Sequence, residues 1–567
     1  MRCCINLLVG ATRRVAPTKI MNSIFSRRIL LWLAPLTFLG VFFFYPFFRI
    51  LAYSFNLSTL VPANLQLAFQ VLSFTFYQAV LSTFLTLLIG LPSAYLFTRF
   101  DFRGKSLLRA LTAVPFMLPT VVVAAGFNAL LGSNGWFSVI FHLSSFQFIG
   151  TLGAILAAHV FYNTTIVIRI VGNALSKLDP KLEQAARSLG ADSRHVWLNV
   201  ILPLLRPSLF ASSLLVFLFD FTSFGVILLL GGPHFATLEV EIYIQALQLL
   251  NLPMAALLSL IQLLCTLAFS VLYTHTLTRS SVQTTPRSTI TTRAKTLWEK
   301  IFVAAFIFLL SIFFILPMLA LPLRSVSRLT ADRGERNQIQ TGFTTDYYTE
   351  LFINRRDSIF YVPPIQAALN SLGYASATVV LSLLLGFPAA SALAKPGRLE
   401  KILDPILILP LGASAVTLGL GFIIAFGRLL TLPWLVPLAH TLVALPFVIR
   451  ALQPAIASIP DRLRQAAASL GASPFRVWQN VDWPILRRAT LSAAIFAFTI
   501  SLGEFGATAL LSRPEYPTIP IAIYRFLSQP GGLNYGQAMA MATLLMALTT
   551  ASILLIEKLR LPGAGEF

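Results

Sequence analysis

Residues 182–191 read LEQAARSLGA, and residues 463–472 read LRQAAASLGA. An offset of 281 superimposes the two stretches and runs on without a gap. Upstream it carries His159 onto His440 and Arg169 onto Arg450. Downstream it carries Val196-Trp197 onto Val477-Trp478, Pro203 onto Pro484, Phe224-Gly225 onto Phe505-Gly506 and Ile242-Tyr243 onto Ile523-Tyr524. Chance does not hold one register over about 85 residues, so the chain is an internal duplication. Earlier stretches correspond after a change of loop length: Gly90-Leu91-Pro92 with Gly386-Phe387-Pro388, and Leu118-Pro119 with Leu409-Pro410.

The 567 residues around this repeat are 56% hydrophobic and 11% charged, against about 25% charged in soluble domains. A water-soluble fold is excluded. A helix needs about 20 apolar residues to cross the hydrocarbon core. About twelve such stretches occur, near 29–48, 74–98, 109–131, 150–172, 207–230, 253–275, 301–322, 367–392, 403–427, 432–452, 488–511 and 535–556. The expected fold is an all-α integral membrane protein of about twelve transmembrane helices in two six-helix repeats. An even number of spans per half orients both halves alike, as a parallel repeat about an axis along the membrane normal.

Charge sets the direction. The 42 Lys and Arg exceed the 21 Asp and Glu, giving a net charge of +21. Such an excess fits nucleic acid, anionic lipid or basic cytoplasmic loops, and the hydropathy selects the last, so a nucleic-acid partner is not expected. Most of the basic residues fall on one side, which places that side and both termini in the cytoplasm of a bacterial plasma or inner membrane. The expected layout is a basic N-terminus (1–28), a first half (29–275), a polar, Thr-rich cytoplasmic linker (276–300) and a second half (301–567). Residues 1–28 have the charge of a signal peptide's basic region but no convincing cleavage site, so the first apolar run reads as a retained helix, with translation starting at Met1 or Met21. The cysteines, Cys3, Cys4 and Cys265, form no disulfide or zinc spacing.

The strongest repetition falls in a cytoplasmic loop, where sequences ordinarily vary most. Each copy, about 179–205 and 460–486, is expected to hold a short helix ending at Gly190 or Gly471, the position that takes left-handed backbone. A second short helix follows from near Ser193 or Pro474. The pair would project as a knob whose small face (Ala185, Ala186; Ala466, Ala467) admits close approach of a partner. An interfacial loop without a partner is the plainer alternative.

The pattern Gln184-Ala185-Ala186, three residues, Gly190, nine residues, Val200, one residue, Leu202, Pro203 resembles the EAA loop of the membrane subunits of bacterial ABC importers, and Gln465-Ala466-Ala467 through Gly471 to Pro484 repeats it. Gln184 and Gln465 stand where that family has Glu, and Trp483 where it has Leu. The resemblance implies that each loop docks on an ATP-hydrolysing subunit and that this single chain supplies the whole pathway; the near-identity of the two loops favours a homodimer serving both. More narrowly, TFYQA (75–79), RFDFRGK (99–105), FGVILLLGGPHFATLEVEIY (224–243) and SLGEFGATALL (501–511) resemble the fused permeases of the thiamine and ferric-iron, binding-protein-dependent class. That implies an extracytoplasmic solute-binding protein as the other partner and alternating access as the mechanism. Sulfate and molybdate permeases share an EFGA-like segment but are usually unfused.

No phosphate-binding loop is present, and no catalytic triad or metal-ligand set is found. The chain therefore reads as a transport subunit rather than an enzyme, with no cofactor or metal of its own and with ATP and Mg on the partner. Ionisable residues within spans are costly and face a bundle interior or water-filled path, which makes Asp220 and Glu504 pathway candidates suited to a cation; packing pairs are the alternative. Phe224-Gly225 and Phe505-Gly506 place a ring beside a flexible residue near the pseudo-twofold axis, as a gate or as helix packing through Gly. The segments 231–243 and 512–524 would form a shallow outer mouth. His159 and His440 fit packing or ligation, and an ion-gradient-driven transporter or a membrane scaffold are the competing classes. Replacing Gly190 and Gly471 together with bulky residues is expected to abolish uptake while ATP hydrolysis continues and the protein stays inserted; retained uptake would refute the docking-loop assignment.

Overall fold

The computed structural model describes residues 30–55, 61–141, 147–279, 292–329, 342–353, 362–395 and 397–559. The basic N-terminus, about half of the 276–300 linker and much of the long segment after residue 323 lie outside the described residues. The protein is an all-α integral membrane protein. Among the described residues ten helices are long and apolar enough to cross a membrane, and two bent helix pairs bring the total to twelve. The described strands, Ser327–Arg328 and Gly342–Phe343, pair antiparallel.

The two bent pairs are the third and ninth expected spans, and neither is a straight rod. Lys105–Met117 and Thr120–Ile140 meet at 112°, and Arg398–Pro410 and Ala415–Leu429 at 90°. At the first break Leu118 is extended, as a residue before proline prefers, and Pro119 precedes the new helix. At the second, Ala413 is extended and the Ser414 side chain accepts a hydrogen bond from Thr417 N at 3.0 Å. The break falls three residues after Pro410, as the first falls three after Pro115. Pro410 therefore corresponds to Pro115, and the sequence pairing of Leu409-Pro410 with Leu118-Pro119 is corrected.

The 281 register is reproduced in the repeated loop. Pro180–Ser188 maps onto Asp461–Ser469, Ser193–Val196 onto Pro474–Val477, and the π-helical turn Trp197–Ile201 onto Trp478–Asp482. The second short helix is not a separate element, however. It runs through that turn into the next span, so that Arg194–Phe221 and Pro474–Gly503 are continuous helices. The reason lies in Pro203 and Pro484, whose rings would strike the carbonyl four residues back in an ordinary α-helix. The wider turn shifts bonding to Leu202 N→Trp197 O and Trp483 N→Trp478 O, five residues apart.

The upstream parts of the halves share a different offset, 296. Gly90 and Gly386 lie against Val167 and Val448, where a Cβ on either glycine would come within 2.6 Å of Val167 Cβ or 2.7 Å of Val448 Cγ1. Only the absence of a side chain lets these helices approach so closely.

The first helix of each half packs on the other half. Phe42, on Leu30–Ser54, lies 6.1 Å from Phe422 and 5.7 Å from Phe426 between ring centroids, while Phe314, on Leu297–Ser325, lies 5.4 Å from Phe161. Two glycines make this exchange possible. A Cβ on Gly126 would come within 2.8 Å of Pro317 O, and one on Gly421 within 3.0 Å of Pro46 Cβ. Leucine at either glycine is expected to cost about 1–3 kcal/mol through overpacking, read as a lowered melting temperature in detergent, whereas Gly40→Leu, with nothing near its added Cβ, is expected to leave it unchanged.

Candidate functional site: a closed constriction between two anchored loops

The loop helices end alike. Gly190 and Gly471 adopt φ of 86° and 81°, a left-handed conformation that glycine takes without steric penalty. Around them Ala191 N bonds Ala186 O at 3.1 Å and Gly190 N bonds Arg187 O at 3.0 Å; Ala472 N bonds Ala467 O at 3.1 Å and Gly471 N bonds Ala468 O at 3.0 Å. This is the Schellman closure expected of a glycine-terminated helix. It throws the preceding leucine outward: Leu189 is 89% and Leu470 88% exposed. The sequence reading had emphasised the alanine face; the leucine tip is what projects furthest from cover.

A basic residue at the end of the second span or just past the eighth anchors each knob. Arg99 pairs with Glu183, and Lys395 bonds Asp461 at 2.8 Å. The two bases are related by the 296 offset although their acids are not related by 281. The hydrogen bond and charge of Lys395 hold the Asp461 carboxyl below its ordinary range. Arg464 adds a bond to Asp482 at 2.8 Å. Gln184, Ala185, Ala186, Gln465, Ala466 and Ala467 all lie on these short helices, with Pro203 and Pro484 at the start of the spans behind them.

At the other end of those spans the helix breaks. Leu202–Phe221 gives way to Gly225–Leu230, and Trp483–Gly503 to Gly506–Leu511. Phe224 and Phe505 sit at these breaks and stack on each other across the pseudo-axis, centroids 5.3 Å apart and planes 28° from parallel. Tyr243 covers Phe224 at 5.5 Å and Tyr524 covers Phe505 at 5.8 Å. A Cβ on Gly225 would lie 2.5 Å from Thr120 Oγ1 and 3.2 Å from Phe505 Cδ1; one on Gly506 would lie 3.1 Å from Ala415 Cβ. The four aromatic rings form one packed cluster where the two halves meet.

The segments expected to form an outer mouth re-enter the bundle instead. Leu238–Tyr243 and Ile519–Leu527 are helical, with Leu238, Val240, Ile242, Ile519, Ile521 and Ile523 in the shared core. A helix start inside a membrane protein exposes backbone N–H groups that need partners. Thr75 Oγ1 accepts from Leu238 N at 3.0 Å, and Ser371 Oγ from Ile519 N at 2.9 Å. Thr75 and Ser371 obey the 296 offset and Leu238 and Ile519 the 281 offset. The repeated bond is invisible until both registers are known.

Asp220 and Glu504 are both buried. Asn163 Nδ2 donates to Asp220 Oδ1 at 2.7 Å. Glu504 accepts from Ala507 N and Thr508 N, both at 3.0 Å, capping the short helix after the break. His159 lies 3.4 Å from Asp220 and His440 3.3 Å from Glu504. Arg450 pairs with Asp404 at 3.0 Å. Further buried acids escaped the sequence reading because they fall between apolar runs: Glu239 accepts from Gln262 at 2.6 Å and Glu241 from Gln245 at 2.7 Å. The sign that could have exposed them is Leu238-Glu239-Val240-Glu241-Ile242, whose apolar residues are too dense for a solvated loop.

Residues 86–281 match the family described as "Binding-protein-dependent transport system inner membrane component". Over that stretch the chain is similar to the membrane components of binding-protein-dependent transport systems. It is 29% identical over 506 residues to the thiamine transport system permease protein of Brucella abortus (strain 2308), covering 86% of this chain and 87% of the relative. It is 27% identical over 513 residues to the thiamine transport system permease protein of Escherichia coli (strain K12), covering 87% and 89%. A probable ABC transporter permease protein of Sinorhizobium fredii is 26% identical, covering 87% and 88%. With its apolar spanning helices the chain is a multi-pass membrane protein similar to inner-membrane transport components.

The caps beneath the aromatic closure give a direct test. Thr75→Val leaves the buried Leu238 N–H without its acceptor and is expected to cost about 1–3 kcal/mol; Ser371→Val is expected to do the same at Ile519. Thermal unfolding of each variant beside Thr75→Ser, which keeps the hydroxyl, measures the effect.

Proposed function

We propose that this permease forms the whole transmembrane pathway of an ATP-driven importer of thiamine or its phosphates. The observation that carries the ATP-coupled part is the paired knob: two loop helices with one closure, one projecting leucine and one basic anchor each. A homodimeric ATPase presents two equal grooves, and two near-equal knobs suit it. A leucine ending a helix with most of its surface bare gains about 1.5–3 kcal/mol when a partner covers it. Movement of the grooves is passed along Arg194–Phe221 and Pro474–Gly503, each a continuous rod from knob to break. The Phe224–Phe505 stack at the end of the rods is the gate, closed in this conformation and parted when the rods turn.

Thiamine is favoured over a ferric species by the substrates in the names of the relatives spanning most of the chain. Its cationic thiazolium and flat rings suit a path with buried carboxylates and aromatic closure. Orientation follows the charge count, with the knobs and both termini on the cytoplasmic side.

In proteoliposomes carrying the permease, its ATPase and the cognate binding protein, labelled thiamine is expected to accumulate only with ATP. Uptake of iron and not of thiamine would move the substrate assignment, and uptake driven by an ion gradient without ATPase would overturn the reading. Leu189→Asp with Leu470→Asp is expected to lower recovery of the ATPase with the purified permease by at least about tenfold, since each charge would enter an apolar groove; unchanged recovery would remove the leucine tips from the docking surface.

A further inference from the structure

In each half one histidine ring joins the second, fourth and fifth spans. His159 Nδ1 lies 3.0 Å from Ser82 Oγ and its Nε2 lies 2.8 Å from Ser223 Oγ. Asp220 Oδ1 is 3.4 Å from the same Nδ1. His440 Nδ1 lies 2.7 Å from Ser501 Oγ, itself bonded to Thr378 at 3.3 Å, and its Nε2 lies 2.8 Å from Thr508 Oγ1 and 3.3 Å from Glu504 Oε2. Ser82 and Thr378 correspond under the 296 offset, and both histidines are buried.

The partners have traded places. Asp220 occupies the position of Ser501, and Ser223 that of Glu504. Each half thus keeps one histidine, one carboxylate and one serine, but the carboxylate stands before the break in the first half and at it in the second. Three residues of helix separate the two positions, about 4.5 Å along the axis. A carboxylate that gripped cargo would be tied to one level of the path. One that acts through the imidazole is not, because the ring offers a nitrogen toward either position.

We propose that His159 and His440 are positioning residues that fix where the fifth and eleventh spans break, and with it the seat of Phe224 and Phe505, and that Asp220 and Glu504 serve these rings rather than the cargo. The phenylalanines follow Ser223 and Glu504 directly in the chain, so each ring holds the residue from which its gate side chain springs. The first half is the less complete version. Asp220 Oδ2 has no hydrogen-bond partner, whereas both oxygens of Glu504 accept bonds, from Ala507 N and from Thr508. A glutamate at position 223 would face Val226 and Ile227, the counterparts of Ala507 and Thr508.

The proposal rests on the importer reading for its transport readout, and the test is a transplant of the second half's arrangement into the first. Asp220→Ser alone and His159→Ala are expected to loosen the gate. ATP hydrolysis without loaded binding protein should rise and uptake fall, each about tenfold, the scale of a lost coupling of this kind. Asp220→Ser with Ser223→Glu is expected to restore both to within about twofold, the carboxylate having moved to the other side of the ring. A well-folded double variant as defective as Asp220→Ser would place the Asp220 carboxylate on the cargo and overturn the proposal, as would native coupling in His159→Ala. If the double variant does not fold, the reciprocal pair Ser501→Asp with Glu504→Ser carries the same expectations. Absence of ATP-dependent uptake in the unaltered protein would fail the importer reading instead. The proposal is then read from thermal unfolding of His159→Ala, Asp220→Ser and their combination, where additive losses would refute a carboxylate acting through the ring.

Discussion

Inside hydrocarbon a helix cannot end without something to receive the backbone groups that its last turn releases. This chain ends helices there repeatedly, and the rest of its architecture follows from how those ends are closed. Glu504 takes the N–H groups of Ala507 and Thr508, Thr75 that of Leu238, Ser371 that of Ile519, and Ser414 that of Thr417. Each cap comes from a side chain buried for no apolar reason. Because the breaks are capped, short helices can turn back into the bundle, and the aromatic rings they carry meet on the axis rather than facing lipid.

The same constraint explains the exchange of first helices. A half that kept its own first helix would bury its surface alone and meet the other half through whatever remained. With Leu30–Ser54 laid on the second half and Leu297–Ser325 on the first, the halves are clasped, and Gly126 against Pro317 and Gly421 against Pro46 let the clasp close. The stacked pair Phe224–Phe505 then lies at a seam that can part without the halves separating.

The number and type of elements were legible in the sequence because spans announce themselves by length and apolarity, and the duplicated loop because glycine in a left-handed turn has few substitutes. The two hinged spans were not legible as hinges: Pro115 and Pro119 both fall within one apolar run, and only the extended backbone at Leu118 distinguishes a break from a bend. The re-entrant helices were hidden for the opposite reason. Glu239 and Glu241 depress hydropathy where the chain is in fact buried, since Gln262 on the next helix meets the first and Gln245, one turn further on, meets the second. Of the candidate site, Phe224, Phe505 and the loop glycines could be named from the repeat; the 296 register was visible at Gly90 and Gly386, but that it pairs Arg99 with Lys395 and Thr75 with Ser371 in equivalent roles emerges only from contacts.

The halves agree most at the loops and least along the middle of the molecule, and the difference has a physical source. At the loops, Gly190 and Gly471 take nearly the same left-handed φ, with the same closure and the same bare leucine, and two such knobs would suit the two equal grooves of the proposed ATPase dimer. The middle lies on the pseudo-axis, and on the proposed reading one asymmetric cargo crosses it, so that no symmetric partner enforces likeness there. There Pro520 and Ala522 stand opposite Glu239 and Glu241. The histidine hubs sit between these regimes. Their geometry must match in both halves, since both phenylalanines have to arrive at one stack, but the carboxylate that serves each ring is free to stand on either side of it. A duplicated chain can drift in composition at such a position without drifting in shape.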